Sequence, residues 1–239
     1  MDALFAKEAK MEAKVLVLLS GGIDSTTCLA MSVRNYGAEN VEAVSFSYGQ
    51  KHVKELECAS AIAQHYGVKH TILTVDSQVF ASSKSTLIQG HGEMNHGKTY
   101  AEIQAENPGE VDTYVPFRNG LMLSQAAALA YSIGAYKIIY GAHSDDAAGG
   151  AYPDCTPEFY EAMNEAIFQG TGKKVRLDAP LLLLNKSQVI KQGLELDAPY
   201  HLTRSCYEDD GPSCGTCATC IDRLEAFKAN GLLDPIDYK

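Results

Sequence analysis

A glycine-rich turn joins an aliphatic run to a helix-like stretch near the start of the chain. Residues 20–26 read S-G-G-I-D-S-T, directly after the aliphatic residues 15–19. Adjacent glycines let the backbone approach a ligand closely, and the first amides of the next helix lie at the positive end of its dipole, where anions bind. This order predicts a buried strand, a turn and a helix, with a phosphate cradle at the turn.

The polar side chains of this turn fit the same interpretation. Ser20, Ser25 and Thr26 offer hydroxyl donors, and Asp24 offers a carboxylate that suits Mg²⁺ beside phosphates. The P-loop spacing G-x-x-x-x-G-K-[ST] and its lysine are absent. An ordinary corner with serines as helix caps is the alternative. We disfavour it because seven positions fit in the expected strand–turn–helix context.

Strand-like and helix-like patterns alternate along the chain after this turn, which predicts a parallel sheet covered by helices. Strands are predicted over residues 15–19, 41–46, 70–75, 137–141 and 175–184, and helices over residues 25–36, 51–66, 120–133, 157–169 and from residue 185. The predicted fold class is therefore α/β, with a Rossmann-like parallel sheet of about five strands and helices on both faces.

The sequence divides into three parts, and the second of them contains an insertion. Residues 14–200 form the predicted nucleotide-binding domain, after an N-terminal extension of residues 1–13 that mixes both charges. Residues 76–118 are polar and glycine-rich, and we expect a lid-like insertion because they exceed the loop length of a compact domain. Residues 201–239 form a small C-terminal segment that carries four cysteines.

Net charge and hydropathy argue against several classes of protein. The formal charge of −10 disfavours a nucleic-acid partner, which usually meets a basic surface. The chain has no apolar run of about 18 residues, so no membrane span or membrane partner is expected. Its first 14 residues lack the apolar core of a signal peptide, which predicts a cytoplasmic protein.

Four cysteines near the C-terminus have the spacing of a metal site. Cys206, Cys214, Cys217 and Cys220 form C-x7-C-x2-C-x2-C, with glycines turning the chain between them. Four thiolates complete a tetrahedron around Zn²⁺ and leave no position for water, so the metal would be structural. The x7 gap and the absence of a following proline favour zinc over an iron–sulfur cluster, which remains an alternative.

Polar residues that follow two other predicted elements could bind a ligand. Arg118 and Asn119 lie at the mouth of the alanine-rich helix, where a guanidinium and a carboxamide suit a carboxylate or a phosphate. Asp145 and Asp146 follow the fourth predicted strand, at the carboxyl edge where open α/β sheets bind ligands. A solvated surface is the alternative for both pairs.

Two further segments carry candidates of a less specific kind. Residues 152–155 read Y-P-D-C and precede a helix, so Asp154 is either a helix cap or a ligand-binding acid. Cys155 could be a nucleophile, although a lone cysteine is more often inert. Residues 47–52 follow the second strand, where the adenine end of a nucleotide would lie, but His52 could equally be an ordinary polar residue of the next helix.

The pattern S-G-G-x-D-S-[ST] resembles the PP-loop ATP pyrophosphatase superfamily, and the ordered set of motifs resembles its 7-cyano-7-deazaguanine synthase family of queuosine biosynthesis. The set consists of S-G-G-I-D-S-T-T-C-L at residues 20–29, Y-G-Q-K-H at 48–52, V-P-F-R-N at 115–119, Y-P-D-C at 152–155, N-K at 185–186 and the four cysteines. The resemblance spans residues 14–230. Two features depart from the family pattern: the segment of residues 145–150 is longer than usual, and Thr156 stands where arginine is common. Both departures fall near the expected substrate pocket.

The resemblance implies an ATP-dependent enzyme that forms C–N bonds. Members of the superfamily cleave ATP between the α and β phosphates and pass AMP to a substrate oxygen. The family converts 7-carboxy-7-deazaguanine and ammonia to 7-cyano-7-deazaguanine through an adenylated carboxylate and an adenylated amide, releasing AMP and diphosphate. It implies ATP, Mg²⁺ and structural Zn²⁺, and a homodimer. The alternatives are another adenylating PP-loop enzyme, such as a tRNA thiolase, a lysidine-forming ligase or an amide synthetase, and a non-catalytic nucleotide sensor.

The resemblance also assigns roles to residues of this chain. The catalytic residues would be Asp24, Ser25, Arg118 and Lys186. The nucleotide would be bound by Leu19, Ser20, Gly21, Gly22, Ile23, Asp24, Ser25, Thr26, Thr27, Cys28, Leu29, Gln50 and His52. The deazaguanine would be bound by Arg118, Asn119, Asp145, Asp146, Tyr152 and Asp154. The metal would be bound by Cys206, Cys214, Cys217 and Cys220.

Overall fold

The computed structural model of the protein describes residues 14–50, 54–88, 96–106, 109, 111–208 and 211–239. The strands are β1 Lys14–Leu18, β2 Val41–Ser47, β3 Lys69–Thr74, β4 Ala135–Ile139 and β5 Arg176–Asp178. They form one parallel sheet in the order β3-β2-β1-β4-β5, which confirms the predicted α/β fold. The predicted N-terminal extension lies outside the described residues.

Helices cover both faces of the sheet. They are α1 Ile23–Tyr36, α2 Lys54–Tyr66, α3 Tyr100–Glu106, α4 Arg118–Ile133, α5 Ser144–Ala147, α6 Pro157–Gly170, α7 Lys186–Leu194 and α8 Ala218–Ala229. Side chains alternate along β1, so Val15 and Val17 join one core with buried residues of α1, α2, α7 and α8. Leu16 faces the other core, which includes Leu123 of α4 and Ile167 of α6. Within the described residues, no helix combines the length and the apolar character that a membrane span requires.

The last strand differs from the sequence-based expectation. The sequence predicts a strand over residues 175–184, whereas β5 contains only Arg176–Asp178. Pro180 has no amide hydrogen to donate to a strand ladder, and the residues after it form turns closed by backbone hydrogen bonds. The aliphatic residues of this run therefore belong to a turn between β5 and α7.

The predicted lid-like insertion contains short helices. A 3₁₀ turn covers Ser77–Phe80, and α3 covers Tyr100–Glu106. Other parts of the insertion, residues 89–95, 107, 108 and 110, lie outside the described residues, as do residues 51–53 at the start of the second predicted helix. A lid function for this insertion remains a prediction.

The order of the strands opens a crevice at one edge of the sheet. After β1 the chain passes through α1 to β2, which pairs with one edge of β1. Much later in the sequence, β4 pairs with the other edge of β1. Because all strands are parallel, their carboxyl ends lie at the same edge, and the loops after β1 and β4 diverge there. The glycine turn follows β1, and residues 140–147 follow β4, so both border this crevice.

Helices α1 and α7 pack closely on one face of the sheet. The hydroxyls of Thr27 in α1 and Tyr200 share a hydrogen bond of 2.7 Å, and the Tyr200 hydroxyl also lies near the backbone carbonyls of Val189 and Ile190 in α7. Gly193 of α7 makes room for this hydroxyl, because a Cβ atom there would lie 1.8 Å from it. This packing brings the first turn of α7 beside the first turn of α1.

A buried ion pair fastens the C-terminal residues to α8. The Arg223 side chain is fully buried and donates to both carboxylate oxygens of Asp234, at 2.6 and 2.9 Å. It also donates to Thr203 Oγ1 at 2.8 Å, and Tyr238 donates its hydroxyl to Asp234 at 2.6 Å. Since the charge of Arg223 is paired and its other donors are satisfied, its burial is compatible with a stable fold.

The close approach of Gly193 to Tyr200 predicts that replacing this glycine destabilises the fold, whereas replacing a glycine with free space around it does not. Gly193→Ala should lower the free energy of unfolding by about 2 kcal/mol, because the added methyl displaces the buried Tyr200 hydroxyl. Gly170→Ala is the matched control at the end of α6, where an added Cβ would meet no atom within 4 Å. It should be neutral or stabilising by up to about 1 kcal/mol, since alanine is the better helix former. Urea unfolding of both variants measures this, and equal effects would contradict the packing described.

Candidate active site

A cavity of about 320 Å³ lies in the crevice at the carboxyl edge of the sheet. It brings together residues that the sequence singles out in separate segments: Leu19, Ser20, Gly22, Asp24, Ser25, Gln50, Arg118, Asn119, Asp145, Asp146, Tyr152 and Lys186. The segments are far apart in the chain, and parallel strand order places them at one edge. The cavity is therefore the candidate site for both a nucleotide and an acceptor.

The glycine turn has the shape of an anion cradle. Gly21 adopts a positive φ of 91°, and a Cβ atom there would lie 2.3 Å from the backbone oxygen of Glu55, so only glycine fits. Ser20 and Ser25 share a hydrogen bond of 3.0 Å between their hydroxyls, and Ser25 Oγ also accepts from the Ser20 amide at 3.1 Å. The turn is thus held in shape by its own side chains, with the N-terminus of α1 at the cavity.

Several residues predicted to bind nucleotide place their side chains elsewhere. Ile23, Cys28 and Leu29 are fully buried in the core beneath α1. Thr26 and Thr27 donate their hydroxyls to backbone carbonyls four residues earlier, at 2.7 and 2.9 Å. None of these side chains lines the cavity, so a role in nucleotide binding remains a prediction for them.

Lys186 and Asp24 meet where the first turns of α7 and α1 converge. The ammonium group of Lys186 lies 2.7 and 2.6 Å from the two carboxylate oxygens of Asp24. Burial has the largest single effect and raises the pKa of Asp24, but the charges of Lys186 and His143 and the hydrogen bonds to the carboxylate together outweigh burial and hold that pKa below its usual value. Asp24 is therefore a carboxylate at neutral pH, and the ammonium group of Lys186 lies against it at the glycine turn.

His143 joins this pair, and the sequence did not single it out. Its Nε2 atom lies 3.7 Å from Asp24, 3.4 Å from Asp146 and 3.5 Å from the Lys186 ammonium. The residue is buried and lines the cavity, and its Nδ1 atom has no hydrogen-bond partner among the described residues. The sequence feature that could have indicated His143 is its position as the first residue of the H-S-D-D run after the fourth strand.

The two adjacent aspartates have different surroundings. Asp145 accepts the backbone amide of Lys186 at 2.8 Å, so it holds the start of α7 in place. Asp146 lies beside His143, and burial raises the pKa of Asp146, an effect that His143 only partly offsets. Both residues line the cavity, but only Asp145 is tied directly to the helix that carries Lys186.

Arg118 and Asn119 enter the cavity from the first turn of α4. The residue before them, Phe117, has a left-handed backbone with φ of 54°, which turns the chain sharply into the helix. Arg118 donates to the Tyr48 hydroxyl at 2.9 Å and lies over the Tyr48 ring, 5.6 Å from its centroid. The guanidinium is thus held by an aromatic side chain at the cavity wall.

Asp154 supports Asn119 from below the cavity wall. Its carboxylate accepts the Asn119 amide at 2.8 Å, and its backbone oxygen accepts from the Asn119 side chain at 3.2 Å. Asp154 is itself buried and does not line the cavity, and burial raises its pKa. Cys155 lines the cavity beside it, but burial raises the pKa of that thiol well above its usual value, which disfavours a nucleophilic role.

A chain of tyrosines forms the wall near Arg118. Tyr152 donates its hydroxyl to Tyr100 at 3.1 Å, and the Tyr100 hydroxyl is hydrogen-bonded to that of Tyr207. Thr113 shares a further hydrogen bond of 2.5 Å with Tyr152. The three tyrosines line the cavity, yet the sequence indicates only Tyr152, because the other two reach the site from the insertion and from the cysteine segment.

Gln50 closes the turn after β2 rather than pointing freely into the cavity. Its side-chain oxygen accepts the Tyr48 amide at 2.8 Å, and its side-chain nitrogen donates to the Phe46 carbonyl at 3.1 Å. It still lines the cavity. His52, the other residue expected near the adenine, lies outside the described residues.

The four predicted metal ligands form one buried cluster. The sulfur atoms of Cys206, Cys214, Cys217 and Cys220 all lie within 4.8 Å of one another. Backbone amides donate to these sulfurs. The amides of Glu208 and residue 214 donate to Cys206 at 3.3 Å, and the amide of residue 217 donates to Cys214 at 3.3 Å. Four sulfurs and amide donors fit a metal such as tetrahedral zinc, and an iron–sulfur cluster shares this donor set.

Comparison with known proteins identifies the family of the chain. A family model described as "Queuosine biosynthesis protein QueC" matches residues 14–231. A 7-cyano-7-deazaguanine synthase of Koribacter versatilis (strain Ellin345) is 40% identical over 94% of this chain and 93% of its own length. Enzymes with the same name from Oceanobacillus iheyensis and Thermoplasma volcanium are also 40% identical, over 94% and 95% of this chain and 98% and 92% of their own lengths. The chain therefore belongs to the QueC family of queuosine biosynthesis proteins.

Proposed function

We propose that the protein is a C–N bond-forming ligase that uses ATP and ammonia to convert 7-carboxy-7-deazaguanine to 7-cyano-7-deazaguanine, releasing AMP and diphosphate. The observation that carries this proposal is one cavity that contains both the glycine cradle and Arg118. An anion cradle suits the phosphates of ATP, and a guanidinium suits the carboxylate of the acceptor. The names of relatives that match nearly the full chain support the same reaction.

The reaction requires the acceptor to be activated twice. The carboxylate oxygen attacks the α-phosphorus of ATP and diphosphate leaves; ammonia then attacks the acyl carbon and AMP leaves, which gives the amide. The amide oxygen then attacks the α-phosphorus of a second ATP and diphosphate leaves; departure of AMP, which takes the amide oxygen, and loss of both amide protons give the nitrile. Each attack needs an oxygen in line with the α-phosphorus, so the protein contributes mainly alignment and charge stabilisation.

Residues of this chain supply those two contributions. The amides at the start of α1 and the hydroxyls of Ser20 and Ser25 would hold the phosphates. Lys186 would move part of its interaction from Asp24 to the phosphates and offset the negative charge that develops on diphosphate. Arg118, held on Tyr48, would bind the acceptor carboxylate and keep its oxygen near the nucleotide.

Magnesium fits the acidic side of the same cavity. The carboxylate of Asp24 stands beside the cradle, and one or two carboxylates with substrate phosphates and water are the usual ligands of Mg²⁺. Asp222 also lines the cavity, and burial raises its pKa to about 6 although Lys186 opposes the shift. Asp24, with Asp222 nearby, would hold the ion, which when bound neutralises phosphate charge.

Zinc, the ammonia source and the assembly complete the proposal. The cysteine cluster would hold zinc in a structural role, since four sulfurs fill its coordination. Free ammonia would be the nitrogen donor, and the enzyme would act as a homodimer in the cytoplasm. Another adenylating PP-loop enzyme is the alternative function, because the cradle by itself suits any acceptor oxygen.

Incubation of the protein with MgATP, ammonia and 7-carboxy-7-deazaguanine tests the proposal. We expect AMP, diphosphate and a nitrile product, with two AMP formed for each nitrile because two oxygens are activated. Chromatography and mass spectrometry measure all three products. AMP without nitrile would favour another PP-loop enzyme, ADP would contradict cleavage at the α-phosphorus, and nucleotide binding without turnover would indicate a sensor.

Removing the guanidinium should weaken acceptor binding without affecting the nucleotide. Arg118→Met should raise the KM for 7-carboxy-7-deazaguanine by about 100-fold, the loss expected for a charge-assisted bidentate contact, and leave the Kd for ATP within about two-fold of wild type. Arg176→Met is the matched control, because that exposed arginine lies over Phe168 and does not line the cavity. An unchanged KM in Arg118→Met, or an equal rise in the control, would contradict the assigned role.

The raised pKa of Asp222 predicts a pH-dependent effect on stability. The pKa of this carboxyl is near 6 in the folded protein and near 4 in the unfolded chain. Between pH 4 and pH 6 the folded state therefore binds more protons than the unfolded state. The free energy of unfolding falls as the pH rises through this window, because the buried carboxyl must ionise. Asp222→Asn should therefore gain about 1 kcal/mol over wild type at pH 7.5, allowing for partial exposure, and about half of that at pH 5, midway between the two pKa values. Urea unfolding at both pH values, with the exposed Asp237→Asn as control, measures the difference; a gain independent of pH would contradict this explanation.

A further inference from the structure

The cysteine segment forms part of the cavity wall. Five of its residues line the cavity, and they flank the metal ligands in the sequence: Arg204, Ser205, Tyr207, Thr219 and Asp222. Residues on either side of Cys206 and Cys220 therefore face the cavity, while the cysteines themselves face the cluster. A change in the backbone around the cysteines would move cavity residues directly.

Tyr207 connects the cluster to the acceptor side of the cavity. Its side chain packs against the four cysteines, and its hydroxyl is hydrogen-bonded to that of Tyr100 in α3. Tyr100 in turn accepts from Tyr152, which is packed edge-on against it with ring centroids 6.0 Å apart. We define these three residues as the tyrosine chain. It runs from the metal cluster to the wall near Arg118.

A second connection joins the insertion to the cluster. His96 forms an antiparallel bridge with Cys217, and the Gly97 amide donates to the Thr216 carbonyl at 2.8 Å. The His96 Nδ1 atom and the Thr216 hydroxyl are a further 2.9 Å apart. The segment of residues 96–106 is thus attached to the cysteine segment at two places, at Cys217 and at Tyr207.

Metal binding would order both attachment points. Four cysteine sulfurs packed together without a cation lack the bonds that fix their positions, whereas a bound metal fixes four points of the backbone between residues 206 and 220. Tyr207 directly follows the first ligand, and Thr216 directly precedes the third. The positions of the insertion and of the tyrosine chain therefore depend on the geometry of the cluster.

We infer that the metal held by the four cysteines positions Tyr207, and through it the tyrosine chain, so that metal and acceptor bind with positive coupling. Tyr207 is a positioning residue in this scheme. The identity of the acceptor rests on the proposed function. Because coupling free energy is reciprocal, the acceptor must tighten metal binding by the same factor by which the metal tightens acceptor binding.

The test measures zinc affinity and acceptor affinity separately. The Kd of zinc is obtained by competition with a chelator, with and without saturating 7-carboxy-7-deazaguanine, and acceptor binding is measured by calorimetry. We expect the acceptor to lower the Kd of zinc by at least about five-fold. If calorimetry shows no acceptor binding, the proposed function fails. If the acceptor binds and the Kd of zinc does not change, the coupling alone is overturned.

A matched pair of tyrosines separates positioning from support of the cluster. Tyr238, like Tyr207, packs against the cysteines, but it donates its hydroxyl to Asp234 and does not line the cavity. The coupling factor is the ratio of the zinc Kd without acceptor to the zinc Kd with saturating acceptor. Tyr207→Phe should still bind one zinc per chain, with an unchanged Kd when no acceptor is present. Its coupling factor should fall by about five-fold, the ratio expected for the loss of one hydrogen bond. Tyr238→Phe should retain the coupling factor of the wild type.

The hydrogen bond between Tyr207 and Tyr100 provides an internal check. Tyr100→Phe should reduce the coupling factor at least as much as Tyr207→Phe does, because it removes the bond to Tyr207 and also the acceptor of the Tyr152 hydroxyl. The double variant should lose no more coupling than Tyr100→Phe alone, because the bond between Tyr207 and Tyr100 is then already absent. The inference would be overturned if Tyr207→Phe kept the coupling factor of the wild type, or if Tyr238→Phe lowered the coupling factor as much as Tyr207→Phe does. Additive losses in the double variant would also overturn it, since the two hydroxyls would then act separately.

Discussion

The position of β1 between β2 and β4 is the constraint on which the site depends. The chain leaves β1 on one side and comes back to it on the other, so the loops after β1 and β4 diverge and leave a crevice between them. Gly21 and His143 stand on opposite sides of this crevice, although more than a hundred residues separate them in the chain. The change of direction at β1 therefore leaves room between these two loops, and the cavity lies there.

Two helix N-termini and one ion pair determine the electrostatics of the cavity. Packing of α1 on α7 places Asp24 and Lys186 in contact, so the positive ends of both helices and the lysine border the cavity. Asp146 and Asp222 also line the cavity, and burial raises the pKa of each. The cavity therefore combines donors for an anionic ligand with acidic groups whose charge a bound cation would stabilise.

The site was only partly predictable from the sequence. The turn from Ser20 to Ser25 was recognisable because phosphate binding requires adjacent glycines, hydroxyls and a helix start, all of which are local. Tyr100 and Tyr207 were not, because each follows no local pattern and reaches the cavity only through the docking of the insertion on the cysteine segment. Asp154 shows the opposite case: its motif is recognisable, but its carboxylate supports Asn119 instead of lining the cavity.

The sequence by itself determined the alternation of strands and helices, the anion cradle and the four-cysteine cluster, because periodicity, turn chemistry and ligand spacing are properties of short segments. It overestimated β5, since the effect of Pro180 on the ladder depends on pairing with β4. Tertiary structure alone decided that Lys186 pairs with Asp24, that His143 stands beside them and that the cysteine segment lines the cavity. These contacts join residues far apart in the chain, and only the strand order and the packing of helices on the sheet bring them within bonding distance.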